Sequence, residues 1–307
     1  MTFKTQTMQE ILRILQSLRK SHTQIAFYIF NPDLAEGYAG TKVVYEKEDY
    51  IYRGYKTWVD LAELLKCKIL TPQQEKPPLI RLTFVPLKET SFHKESKHDE
   101  KYGIDSQFSK IYKMEEPAFL YYYEQALENI HISQRKSVLN LGINRGDEFQ
   151  VIQNILEKKI YEAIKFVGID HSKTAIAYAK SIFKTKNMHF YSHDINDLNT
   201  LNLKKFDVCI SIGTLQSPSI DFKPFFMSLI QNYLDNKNSA IILGFPNSRW
   251  QGGEMLYGAK VPHYAMSEMG LVLSDILFCK KYLQQKKYRV TITGKSYLFL
   301  TATKINI

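Results

Sequence analysis

Residues 138–147 read Val138-Leu139-Asn140-Leu141-Gly142-Ile143-Asn144-Arg145-Gly146-Asp147. A short apolar run ends in a turn whose positions 142, 144 and 146 are Gly, Asn and Gly, residues that adopt left-handed backbone at low cost. A strand that passes through such a turn into a helix brings bare backbone close to whatever lies beyond the strand tip.

The chain around this stretch alternates. Strands are predicted at Ser137–Leu141, Lys165–Asp170, Met188–Ser192, Phe206–Ile212, Ser239–Phe245, Tyr288–Thr293 and Ser296–Thr303, with amphipathic helical stretches between the first five. That alternation predicts right-handed crossovers and a parallel sheet covered on both faces. The last two strands are separated only by Gly294-Lys295, and two residues close only an antiparallel hairpin. A parallel sheet ending in a tight hairpin differs from the dinucleotide-binding sheet, whose last strand is reached by another crossover.

Acidic residues recur at the strand ends. Asp170, with His171 beside it, closes Phe166-Val167-Gly168-Ile169, and a carboxylate there can accept both hydroxyls of an adenosine ribose. Asp194 follows Met188–His193 and suits an adenine amino group, with Ile195 placed to pack on the ring. The fourth strand ends in Ser211-Ile212-Gly213-Thr214-Leu215.

Taken in order, Leu139–Gly142, Val167–Asp170, His193–Ile195 and Phe206–Leu215 resemble the motifs of class I S-adenosylmethionine (SAM)-dependent methyltransferases, over about residues 104–303. The resemblance implies an α/β fold: a Rossmann-like seven-stranded methyltransferase sheet with an antiparallel terminal hairpin. It implies SAM as cofactor and methyl transfer by in-line displacement. Gly142 and Asn144 would line the methionine end; Asp170 would hold the ribose, Asp194 and Ile195 the adenine. Thr214 and Leu215 would border the sulfonium, and Asn140, Gly146, His171, Ser211 and Gly213 complete the cofactor-binding set. Two positions depart from the family pattern, which usually has an acidic residue at 140 and glycine at 144. Asn140 lacks the charge that would attract the cofactor's ammonium.

The acceptor is less legible. No Asn/Asp-Pro-Pro-aromatic run follows the fourth strand, and Cys209 lies inside that strand, where a buried core thiol is expected. The insertion after the fifth strand, residues 245–264, gathers Trp250, Glu254, Tyr257, His263 and Tyr264. His263, which titrates near neutrality, is the first candidate general base and Glu254 the second. Of Tyr121, Tyr122 and Tyr123, at most two can share one helix face. A small-molecule acceptor is the leading expectation. An RNA substrate, bound by an N-terminal domain and a basic tail, is the alternative; a non-catalytic SAM-binding relative is the third.

The N-terminal region reads as a small α+β domain at 1–90, with strands at Gln24–Phe30 and Leu79–Leu87 and a helix at Thr57–Cys67 capped by Thr57. The polar, charged run Lys88–Gly103 marks a linker or lid at 91–115, and the catalytic domain is expected over 116–307. Helices are predicted at Ile104–Met114 and from Pro117 to about Ile130. Net charge is +10, and seven basic residues with no acidic one lie in 276–307. That tail is an RNA-facing patch or the solvated face of a helix and hairpin. Cys67, Cys209 and Cys279 form no ligand-spaced pair, so neither a disulfide framework nor a metal site is expected. Nor is a signal peptide or a membrane span; the expected location is the cytoplasm.

Overall fold

The computed structural model describes residues 1–88, 102–258 and 269–305, and two compact units divide them. The first comprises residues 1–90 and 250–257, the second 91–249 and 258–307.

In the first unit, β1 (Thr2–Phe3), β2 (Ile25–Phe30), β5 (Cys67–Ile69), β6 (Gln73–Lys76) and β7 (Leu79–Pro86) form a sheet of order β1-β2-β7-β5, with β6 also paired to β7. Alternation puts Ile25, Phe27 and Ile29 of β2 with Ile80, Leu82 and Phe84 of β7 in one core, which α1 (Met8–Arg19) closes with Ile11 and Leu15 and α2 (Tyr55–Leu64) with Trp58 and Leu61. Thr7 caps α1 in a reciprocal box with Glu10. Helix α2 begins two residues before the expected Thr57, after Gly54, with no side-chain cap. A hairpin of β3 (Lys42–Tyr45) and β4 (Glu48–Ile51) turns at Glu46-Lys47, both at positive φ. Trp250–Tyr257, which rejoins this unit, is most of a second hairpin, β13 (Ser248–Gln251) and β14 (Glu254–Tyr257); the Tyr257 amide donates to the Glu63 carboxylate.

The second unit is built on β8 (Ser137–Leu141), β9 (Lys165–Asp170), β10 (Met188–Ser192), β11 (Val208–Ile212), β12 (Ala240–Pro246), β15 (Tyr288–Gly294) and β16 (Tyr297–Lys304). Their order is β10-β9-β8-β11-β12-β16-β15. The first five are parallel, and the terminal β15–β16 hairpin inserts β16 antiparallel beside β12. The Rossmann-like sheet with its antiparallel end is therefore as expected. The strand order reverses between β8 and β11, and in such sheets ligands sit outside the carboxyl ends at that reversal.

Period-two alternation sorts the side chains of this sheet. Leu139, Leu141, Val167, Ile169, Cys209, Ile241, Leu243, Leu300 and Ala302 face a core shared with α7 (Phe222–Ser228) and α8 (Met269–Gln285). Asn140, Phe166, Asp170, Tyr297 and Phe299 therefore face the opposite side. That side is covered by α3 (Pro117–Asn129), whose Phe119 lies 5.3 Å from Phe299, and by α4 (Asp147–Ile155), whose Phe149 lies 5.0 Å from Phe166. The remaining helices are α5 (Lys158–Ala163) and α6 (Lys173–Ile182). Cys209 is fully buried, and burial pushes its thiol above the usual range, which removes it as a nucleophile.

The helix expected at Ile104–Met114 is absent. Residues 104–114 carry two short 3-10 turns, Phe108–Lys110 and Lys113–Glu115, neither with a side-chain cap. Tertiary hydrogen bonds take over the backbone groups that a helix would have used. Two of the tail's basic side chains serve the ends of α8 and β16: Lys304 donates to the Lys286 carbonyl and lies over the Tyr288 ring, and Lys286 lies over Tyr282. No helix among the described residues is long and apolar enough to cross a membrane.

Candidate active site

The turn after β8 is held from beneath by β9. The Gly142 and Ile143 amides donate to the Ile169 carbonyl at 2.8 and 3.1 Å. Gly142, Asn144 and Gly146 have φ of 75°, 47° and 98°, the left-handed conformation their residue types suggested. Gly142 answers to a neighbour as well as to its φ: a Cβ built there would stand 1.9 Å from Thr214 Oγ1. The turn after β8 and the end of β11 thus touch at the strand-order reversal. Gly146 is left-handed at the N-cap of α4, and a Cβ there would meet the Phe183 ring at 2.4 Å.

Asp170 is 5% exposed and braces this corner. Its Oδ2 accepts the Asn144 amide and its Oδ1 the Ser172 amide, both at 2.9 Å, while His171 Nδ1 lies 3.4 Å from Oδ1. Asp194 is exposed, and its Oδ1 accepts from the Asn196 amide and side chain at 2.9 and 3.0 Å, capping the 3-10 turn Ile195–Leu201. Ile195 and Leu215 are buried in the α7/α8-side core. Ser211 donates to the Leu141 carbonyl at 3.2 Å, and the Gly213 amide to the Gly244 carbonyl at 2.8 Å. The structure thus brings Gly142, Asn144, Gly146, Asp170, Gly213 and Thr214 to one set of strand tips.

Of the two candidate bases, the structure describes only Glu254. Glu254 is exposed on β14, which belongs to the first unit. His263, like Tyr264, lies outside the described residues.

The segment preceding α3 is fastened across the turn. Asn144 Nδ2 donates to the Tyr102 carbonyl at 2.8 Å, and the Ile104 amide to Thr174 Oγ1 at 3.1 Å. The Arg145 guanidinium lies 3.8 Å from the Tyr112 ring centroid and donates to the Ser109 carbonyl at 2.7 Å, while its Nε reaches Asp147 at 3.0 Å. Arg145 is 6% exposed, so this residue in the middle of the glycine turn clamps residues 109–112 onto it.

This strap delivers Lys113 to the Asn140 face of the sheet. Its ammonium lies 5.6 Å from the rings of Tyr297 and Phe108, and the Tyr297 hydroxyl lies 3.8 Å from where a Gly213 Cβ would stand. Burial works to discharge Lys113, but Tyr297, Glu148, Asp147 and Tyr102 outweigh it and hold the ammonium charged beyond its usual range. Glu148, in the first turn of α4, is 7% exposed. Burial pushes its carboxyl up to about 7 against the opposing pull of Lys113, with Asp147 and Asp170 adding to the rise. The sequence reading missed Lys113, Glu148 and Tyr297; its one available signal was the acidic pair Asp147-Glu148 directly after the glycine turn.

The position of Glu148 costs stability. Between pH 4.5 and 7 the folded protein holds a proton on it that the unfolded chain releases, so its contribution declines as pH rises through that window and is lowest above 7. Glu148→Gln is therefore expected to be more stable than the wild type at pH 8, by on the order of 2–3 kcal/mol, and to differ little at pH 4. Urea unfolding at the two pH values checks this; a variant less stable at pH 8 would contradict the assignment.

The reversal in strand order, the glycine turn and the terminal hairpin define a class: a Rossmann-like sheet of the methyltransferase type. Residues 132–286, just over half of the chain, match the model of a methyltransferase domain family, and the chain belongs to that family. No curated protein sequence matches it. Among solved structures it is similar to the CurJ carbon methyltransferase (14% identity, TM-score 0.43, covering 68% of this chain and 57% of that one). It is also similar to the plantazolicin methyltransferase BpumL (15%, 0.45, 66% and 90%) and to the small RNA methyltransferase HEN1 (12%, 0.47, 75% and 29%).

Proposed function

We propose that this protein is a SAM-dependent methyltransferase acting on a small-molecule acceptor. One observation carries the reading: Gly142, Asn144, Asp170 and Thr214, from three separate strand ends, meet where the strand order reverses. The residues present fit the cofactor. Asn140 is 1% exposed, and its Nδ2 donor has no partner, as expected of a group that serves a ligand. Each Asp170 oxygen accepts one backbone amide, which leaves lone pairs for ribose hydroxyls. Asp194 Oδ2, beside Ile195, is available to the adenine edge.

The bound cofactor supplies a methyl group already activated by its sulfonium. This chain's own work is to position the acceptor and exclude water. Thr214 and the Gly213 backbone, with Tyr297 beside it, would border the activated methyl group, and the strap carrying Tyr102 and Tyr112 is fastened to the same turn through Asn144 and Arg145.

Isothermal titration with S-adenosylhomocysteine, the demethylated product, tests the proposal before any acceptor is known. One site per chain with a dissociation constant in the micromolar range is expected. A silent titration with both this ligand and SAM would end the proposal.

A further inference from the structure

The corner where β8, α4 and the strap meet holds two charged groups that the proposed methyl transfer does not use. Lys113 and Glu148 influence each other electrostatically, yet neither lies within 4.0 Å of an opposite charge among the described residues. A half-buried cation and a buried carboxylate that do not close on each other are costly to keep. A ligand that carries both charges would give each of them a partner. Asn140, itself buried, lies on the same sheet face with its unpartnered donor, at the position where the resembled family carries an acid.

We infer that Lys113 and Glu148 form the subsite for the zwitterionic amino-acid end of the cofactor, Glu148 taking the ammonium and Lys113 the carboxylate, with Asn140 Nδ2 donating to that carboxylate. The charge missing from the strand tip has moved to the first turn of the following helix. This rests on the cofactor reading above and deepens it.

The groups facing Glu148 set its response to pH. Lys113 approaches from the strap, Asp147 from α4 itself, Asp170 from the end of β9 and Tyr123 from α3, whose hydroxyl donates to the Glu148 carbonyl at 3.3 Å. Lys113 favours the carboxylate, and so, less strongly, does the backbone amide of Glu148 itself. An incoming ammonium also favours it, so binding below neutral pH releases a proton from Glu148. Affinity should fall as pH drops through about 7.

Two nucleosides separate the subsite from the rest of the site. S-adenosylhomocysteine and 5′-methylthioadenosine share adenosine and a thioether, but the second lacks the amino-acid group. In calorimetric titrations at pH 8, Lys113→Met and Glu148→Gln are each expected to weaken S-adenosylhomocysteine about tenfold or more, the effect of one lost charged contact. Both should leave 5′-methylthioadenosine within about twofold, which also reports that the variants are folded. In wild type, S-adenosylhomocysteine binding at pH 6.5 should release protons, seen as a dependence of the heat on buffer ionisation, and Glu148→Gln should abolish that release. Equal weakening of both nucleosides would mean a structural role only and would overturn the subsite, as would an unchanged preference between them. A wild-type protein that bound neither nucleoside would remove the cofactor reading itself, and the subsite with it.

Discussion

Asp170→Ala is expected to lower the stability of the second unit by about 3 kcal/mol and to weaken S-adenosylhomocysteine about 100-fold. The stability loss follows from two amides, those of Asn144 and Ser172, that would lose a charged acceptor in a nearly solvent-free corner. A buried donor left unpaired costs about 1–3 kcal/mol. For a unit of this size the loss corresponds to a melting temperature lower by roughly 6–12 °C. The binding loss has a second origin: the same carboxylate holds the turn in shape and, on the proposed reading, would accept the ribose hydroxyls. Asp194→Ala is the control: that carboxylate is exposed and caps a short 3-10 turn, so unfolding should hardly change. A melting temperature and an affinity both unmoved by Asp170→Ala would remove the residue from the site.

The second large effect is expected at Gly142. An alanine Cβ would stand 1.9 Å from Thr214 Oγ1, 2.7 Å from its Cγ2 and 2.8 Å from its Cβ, on a backbone at φ 75°. Two penalties add: overpacking, typically about 1–3 kcal/mol, and the left-handed conformation, about 1–2 kcal/mol. Gly142→Ala should therefore cost about 3–4 kcal/mol in urea unfolding. Combining it with Thr214→Gly separates the two, because the second substitution removes every atom the new methyl would strike. The pair should be less unstable than the sum of the single variants, with the backbone penalty remaining. Strict additivity would show that Thr214 does not lie over the turn.

How much of this was legible depended on which physical signal carried it. The strands Ser137–Leu141, Lys165–Asp170 and Met188–Ser192 are read from apolar period and flanking turns, and the structure has the same bounds. Both are local properties. The terminal hairpin was equally legible, because Gly294-Lys295 leaves room for only one connection. The turn at 142–146 was recognisable from its left-handed residue types, and Asp170 from its place at a strand end.

The misses have one cause. Residues 104–114 have helical composition but become a strap, because Arg145 and Thr174 offer their backbone groups partners that no local pattern reveals. The described hairpin of the 245–264 insertion joins the first unit, through contacts to Glu63, Leu87 and Lys88 that are likewise remote in sequence. Glu148 has the place of an ordinary first-turn acid, favourable to the helix dipole; only the tertiary packing, with α3 and the strap beside it, makes it a buried carboxylate.

What the sequence by itself determined is the order of strands and helices, the antiparallel ending and the turn after the first central strand, all set by periodicity and backbone preference within about ten residues. The tertiary structure alone decided which charges are buried together. Lys113 and Glu148 lie 35 positions apart, and the burial that raises the Glu148 carboxyl, like the neighbouring charges that hold Lys113 protonated, exists only once the sheet face is covered.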